Sequence, residues 1–290
     1  MATASSVDRV IYREDAILSL GLLPLLTGLG HLAPSLGGAW AALERPYVDV
    51  PCLIMTSTIA SIVDAYDKYK DTPLAARPRR WVWLSWMGLL SGLTIWSTYV
   101  CGLSIAIRIH RFLLIGMLWG TPCIPTYSAH KGFIFSKPKR LFGEAKSLVV
   151  ALCMGPVDAD TAQAHACALY PGLCAPSTIM WRSIGLSILY NWIRETVCDA
   201  RDIEEDKREN LRTLPISLGK NNTIALMAVV AFVGDALLSQ KLDMEVVIRV
   251  AASIILSTVV LQHPRENGMA WSFQALFGLT PCWWAQARLR

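Results

Sequence analysis

Apolar stretches separated by short polar connections run through the whole chain. Nine of them read as candidate spans: Ala16–Leu32, Tyr47–Val63, Trp81–Ile107, Phe112–Tyr127, Ser147–Leu169, Thr178–Cys198, Thr223–Leu238, Met244–Gln262 and Ala270–Ala285. A helix needs about 20 predominantly apolar residues to cross the hydrocarbon core of a bilayer. No long polar segment is left for a separate soluble domain. The pattern therefore predicts an all-α, polytopic membrane protein: one domain over residues 1–290, with about nine transmembrane helices bundled around a central lipid-accessible cavity. The third span is long and the ninth weak. Asp158, Asp160 and His165 interrupt the fifth, which marks its far half as a loop or as a tilted helix lining a cavity.

Composition agrees with this pattern. The 290 residues are 53% hydrophobic and only 17% charged, against roughly 25% charged in soluble domains. At the N-terminus, Arg9 and Arg13 are mixed with Asp8, Glu14 and Asp15 and no small-residue cleavage site follows, so a removable signal peptide is not expected. The eight cysteines are scattered through apolar runs without C-x2-C pairs, a distribution that predicts buried free thiols over a disulfide framework or a zinc site.

The formal charge of +5 raises the question of a nucleic-acid partner, and its distribution answers it. If the spans alternate, Lys68, Lys70, Arg77, Arg79, Arg80, Lys131, Lys137, Lys139, Arg140, Lys146, Arg201, Lys207, Arg208, Arg212 and Lys220 all fall on one side. The other side receives Arg45, Arg108, Arg111, Lys241, Arg288 and Arg290. By the positive-inside rule the first set faces the cytosol together with residues 1–15. The basic residues belong to a bilayer, and no nucleic-acid partner is expected.

Two acidic clusters lie on that same side. Asp64, Asp67 and Asp71 in "VDAYDKYKDTP" and Asp199, Asp202 and Asp206 in "DARDIEED" share the spacing D-x2-D-x3-D. Residues three and four apart share a helix face, so each cluster aligns carboxylates that repel one another unless a cation intervenes. A solvated helix end paired with Lys68, Lys70, Arg201 and Lys207 would explain either cluster alone. Two clusters at one spacing after even-numbered spans favour a metal site, with all six aspartates as candidate ligands. Magnesium takes one or two carboxylates and completes its octahedron with water and substrate phosphate. A magnesium–diphosphate site opening into an apolar bundle points to an isoprenyl diphosphate. Departure of its diphosphate would leave an allylic cation that must be kept from water and that aromatic faces stabilise.

These residues resemble the UbiA superfamily of intramembrane prenyltransferases and related terpene cyclases. The family's first motif, N-x3-D-x3-D followed by R-P, is matched by Asp67, Asp71 and Arg77-Pro78, with Val63 in the asparagine place. Its second is matched by Asp202-x3-Asp206 and the following "ENLRTLPISLGK", with Asn210 where glycine is usual. Asparagine tolerates the left-handed conformation better than most residues. "SKPKRLFGEAKSLVVA" resembles the family's basic loop. The resemblance implies nine helices, catalytic and metal-binding roles for Asp67, Asp71, Asp202 and Asp206, and an allylic polyprenyl diphosphate substrate. By the same analogy Lys139 and Arg140 lie near the diphosphate. Arg77, Lys131, Arg201 and Arg212 join them as candidate diphosphate ligands.

Once the cation forms, a small aromatic acceptor captures it, or the prenyl chain's own double bonds do so in a cyclase. Transfer is the expected reaction. Val63 and the tryptophans within spans (Trp86, Trp96, Trp119, Trp181 and Trp192) lean toward cyclisation. A cation transporter or scaffold is the remote third reading, and Asp235 and Arg249 are expected to pair across neighbouring helices. Tyr127 and Lys131 would share a helical face near the basic loop. His165, Asp158 and Asp160 would lie away from the acidic side.

Overall fold

The computed structural model describes residues 18–72, 74, 77–119, 121–128, 132–208, 210–258, 261 and 277–289. Residues 1–15 and Lys131 lie outside them, and of Asp71 only its place on a helix is described. After a short π-helical turn, Leu18–Leu22, the chain forms α1 (Leu23–Gly30) and α2 (Leu32–Leu43). The break between them has a local cause. Pro34 has no N–H for the Gly30 carbonyl, and its ring crowds that oxygen.

Next comes α3 (Val50–Asp71), capped by the Asp49 carboxylate, which accepts from the Cys52 N–H at 3.1 Å. It ends at Thr72, the residue before Pro73, where helical backbone is disfavoured. Then follow α4 (Arg80–Cys101) and α5 (Leu103–Trp119). A two-stranded antiparallel hairpin, β1 (Ile124–Ser128) and β2 (Gly132–Ser136), leads to α6 (Lys146–Leu169) and α7 (Ser177–Arg201). The short α8 (Ile203–Arg208) and α9 (Leu214–Leu218) connect to α10 (Lys220–Ser239), α11 (Met244–Thr258) and α12 (Thr280–Ala287).

Contacts between helices fix their directions. Thr94 donates to Thr58 at 2.8 Å while Trp83 stacks on Tyr69, so α4 runs antiparallel to α3. Cys101, just before α5, lies near Cys52 and Asp49 at the start of α3 while Gly116 lies against Val63, so α5 runs parallel to it. Thr196 donates to Ser147 at 3.0 Å and Gln163 to the Met180 carbonyl at 3.2 Å, making α6 and α7 antiparallel. His165 at the far end of α6 bonds Asp49 at the start of α3. The end of α3, the start of α6 and the end of α7 therefore lie on the same side of the bundle.

Burial runs in the direction a hydrocarbon solvent requires. Leu84, Leu89, Ile95, Trp96, Tyr99 and Val100 on α4, and Val229, Val233 and Leu237 on α10, face outward. Continuous exposed apolar area of this kind marks a membrane-contacting surface. Inside, small residues bring helices close: a Cβ on Gly155 would stand 2.6 Å from the Ile188 backbone, the kind of close approach found between membrane helices. Buried charges are paired. His31 bonds Asp158 at 2.7 Å, and Arg249 bonds Asp235 at 2.6 and 3.1 Å, with Tyr190 donating to the same carboxylate. The expected pairing of Asp235 with Arg249 across neighbouring helices is what the structure has.

Several expectations are corrected. Among the described residues, two helical stretches are long and apolar enough by themselves to cross a membrane, Leu20–Leu43 and Lys220–Ser239. The first reaches well past Leu32. The long third span is two antiparallel helices, because Gly102 (φ +86) reverses the chain inside it. The fourth span overshoots into β1, part of one short hairpin in an otherwise all-α fold, as expected. The fifth is one continuous helix, since other helices supply partners for its polar groups: His31 for Asp158, Arg108 for Asp160 at 2.5 Å, and Asp49 for His165. Two of the eight cysteines, Cys167 and Cys174, form a disulfide across the α6–α7 turn. Cys52, Cys101, Cys198 and Cys282 are free and buried, as expected. The first part of the ninth span lies outside the described residues.

Candidate active site

The two acidic clusters are built differently. On α3, Asp64 is buried, accepting from Lys68 at 2.6 Å and from the Thr27 hydroxyl at 3.1 Å. Asp67, one turn on, is exposed and pairs with Lys70 at 2.7 Å. Helical spacing alone makes both lysine contacts, at i,i+4 and i,i+3. The helix end is held by Arg77, which donates to the carbonyls of Thr72 at 3.0 Å and Lys70 at 3.3 Å, with its guanidinium over the Tyr69 ring. A cation at a helix C-terminus also opposes the helix dipole.

The second cluster is not one helix face, which corrects the sequence reading. Helix α7 stops at Arg201, Asp202 caps it, and Asp206 lies on α8 beyond the bend. Asp202 turns into a two-pronged bond with Arg201, at 2.6 and 2.8 Å. Asp199 and Asp206 converge instead on Lys146, the first residue of α6. Its Nζ lies 2.6 Å from Asp199 and 3.3 and 3.5 Å from the two oxygens of Asp206. All three side chains are largely buried. Burial works to lower the Lys146 pKa, but the attraction of both carboxylates overrides it and holds the ammonium well above the usual lysine range.

The basic loop closes over this end. Lys139 and Arg140 stand on the 3-10 turn Pro138–Leu141, and Lys139 acts electrostatically on Asp206. Arg212 is exposed and pairs with Glu144 of the same loop at 3.1 Å. Asn210 has φ +55, the left-handed conformation expected for the place where glycine is usual. Val63 packs its methyl groups on Gly116, so the departure from asparagine fills a contact between helices. Tyr127 sits on β1 with its ring against Phe133, so it shares no helical face with Lys131.

Sequence reasoning counted Lys146 among the basic connections but did not assign it to the site. A lysine opening a span 53 residues before Asp199 carries no local signal, because only the antiparallel packing of α6 on α7 brings them together. Arg194 and Glu195 were missed too. They bond to each other on α7, one turn before Asp199, with Arg194 almost wholly buried.

The bundle has apolar flanks and carries both acidic clusters at one end. Its fold is similar to that of a UbiA homologue from Aeropyrum pernix K1, at 13% identity over 89% of this chain and 96% of that one, with a TM-score of 0.54. It is also similar to a UbiA homologue from Archaeoglobus fulgidus solved with GPP and Mg2+, at 11% identity over 94% and 99% of the two chains and a TM-score of 0.53. The same archaeal protein solved with DMAPP and Mg2+ gives 12% identity and a TM-score of 0.52 over the same shares. No curated protein matches the chain in sequence. The model of the VviA prenyltransferase family matches residues 14–289. The chain belongs to that family, within the UbiA superfamily, and is a prenyltransferase.

Proposed function

We propose that this prenyltransferase is a single-domain, nine-span membrane enzyme over residues 1–290. It ionises an allylic isoprenyl diphosphate with the help of magnesium and transfers the prenyl group to a small aromatic acceptor. Residues 1–15 and both acidic clusters face the cytosol. The observation that carries the reading is the placement of both clusters at the same end of an apolar bundle, in a chain that the VviA prenyltransferase family covers from residue 14 to 289.

The donor set fits magnesium. Asp199 and Asp206 already enclose a cation, the Lys146 ammonium. Among the described residues no group of three or more acidic, His or Cys side chains is placed to hold a metal ion by itself. Magnesium takes one or two carboxylates and leaves its other positions to water and phosphate. Asp64, Asp67 and Asp71 of the first cluster and Asp199, Asp202 and Asp206 of the second would hold it. When bound, magnesium neutralises the charge that develops on the departing diphosphate.

The remaining work belongs to this chain. Lys139, Arg140, Arg201, Arg212, Lys131 and Arg77 supply positive charge for the diphosphate oxygens. The allylic C–O bond breaks with its electron pair leaving on the diphosphate. The apolar bundle keeps water from the cation. The acceptor then forms the new bond at the allylic carbon and releases a proton. Trp96 and Trp181, two of the five span tryptophans that lean toward cyclisation, face the surroundings of the bundle and not a shared interior wall.

The test is product analysis by mass spectrometry. Membranes carrying the protein receive magnesium and geranyl, farnesyl or geranylgeranyl diphosphate, with and without small phenols. A prenylated adduct that requires a phenol, and disappears in Asp202→Ala, is expected. A cyclic hydrocarbon or terpene alcohol formed without any acceptor would overturn transfer in favour of cyclisation.

A further inference from the structure

Lys146 occupies an unusual place. It is the first residue of α6, and a cation in the first turn of a helix works against the helix dipole. Its position therefore does nothing for its own helix. Its side chain is 14% exposed, and the carboxylates it joins are 7% and 4% exposed. Removing either partner from such a buried pair leaves an uncompensated charge. Further charges crowd the same point. Glu195 and Asp202 act on the two carboxylates, Arg201 holds Asp202, and Lys139 acts on Asp206.

We propose that Lys146 is a built-in counter-ion in the cation seat between Asp199 and Asp206, so that magnesium reaches the second cluster only by displacing its ammonium. This rests on the magnesium reading above. Two cations cannot share a seat formed by two carboxylates without strong repulsion. The lysine thus keeps the buried acids neutralised while metal is absent and sets the concentration at which metal enters. A displaced ammonium needs a new anionic partner, and the diphosphate of the substrate is one. Metal and diphosphate then bind with positive coupling, each raising the affinity of the other by the same factor.

The experiment uses the full chain, purified and placed in lipid nanodiscs without substrate, with Mn2+ as the probe and electron paramagnetic resonance as the readout. Lys146→Met is expected to bind Mn2+ about 10-fold more tightly than the wild type, about 1.4 kcal/mol. Lys146→Arg, which keeps the charge, should stay close to the wild type. Equal affinity in the wild type and the Met variant overturns the proposal.

A measurement on the wild type stands even if Lys146→Met does not fold. Acylation of Lys146 by an amine-reactive ester, followed by peptide mass spectrometry, should rise several-fold when Mg2+ is added. Unchanged labelling overturns the displacement. If no form binds Mn2+ while product formation still needs magnesium, the displacement is wrong and the magnesium reading stands. Product formed equally well in chelator overturns both.

Discussion

The two acidic clusters carry the same D-x2-D-x3-D spacing and solve the same repulsion in different ways. The first lies on one unbroken helix, and its counter-ions Lys68 and Lys70 come from the same helix within four residues. The second lies across a bend, and its counter-ion comes from another helix, 53 residues before Asp199 and 60 before Asp206. Asp67 is 56% exposed at its side chain, whereas Asp199 and Asp206 are 7% and 4% exposed. The difference teaches that spacing predicts where carboxylates sit and not how they are neutralised. An exposed pair such as Asp67–Lys70 is worth about 0–1 kcal/mol. Breaking a buried one costs about 3–5 kcal/mol.

The largest expected effect treats the clusters as equals. Asp67→Ala and Asp202→Ala should each lower product formation by about 100-fold or more, as losing an electrostatic stabiliser of developing charge does, while the protein remains folded in the membrane. If both variants keep most of their activity in the mass-spectrometric assay, the clusters do not serve one reaction. A smaller effect probes how the first cluster's helix is seated. A Cβ on Gly116 would lie 2.6 Å from a Val63 methyl group, so Gly116→Ala should destabilise by about 1–3 kcal/mol through overpacking. Val63→Ala should relieve much of that loss in a thermal-unfolding cycle, and additive effects would mean the two do not touch. The smallest effect is expected at the exposed pair. Lys70→Gln should shift stability by about 0.5 kcal/mol or less, and a large drop in melting temperature would show that the first cluster depends on its lysine as the second depends on Lys146.

Much of this was legible in the chain. The D-x2-D-x3-D repeats, the charge bias of the connections and the R-P and T-L-P sequences led to the superfamily. Asn210 and the Asp235–Arg249 pair behaved as the sequence reading expected. The misreadings share a cause. Gly102 interrupts an apolar run whose hydropathy does not change across it, so a reversal read as one long span. Asp158, Asp160 and His165 read as an interruption because their partners, His31, Arg108 and Asp49, lie on other helices.

The sequence by itself determined the membrane character, the helical periodicity, the two clusters and the lysines that pair within the first of them. All of these depend on composition or on contacts within one helical turn. Only the tertiary structure decided that Lys146 closes the second cluster, that Asp202 turns to Arg201, and that Val63 meets Gly116. Those outcomes depend on which helices lie side by side and in what register, and on the bend that follows Arg201. Helix spacing repeats identically along every span and does not encode any of them.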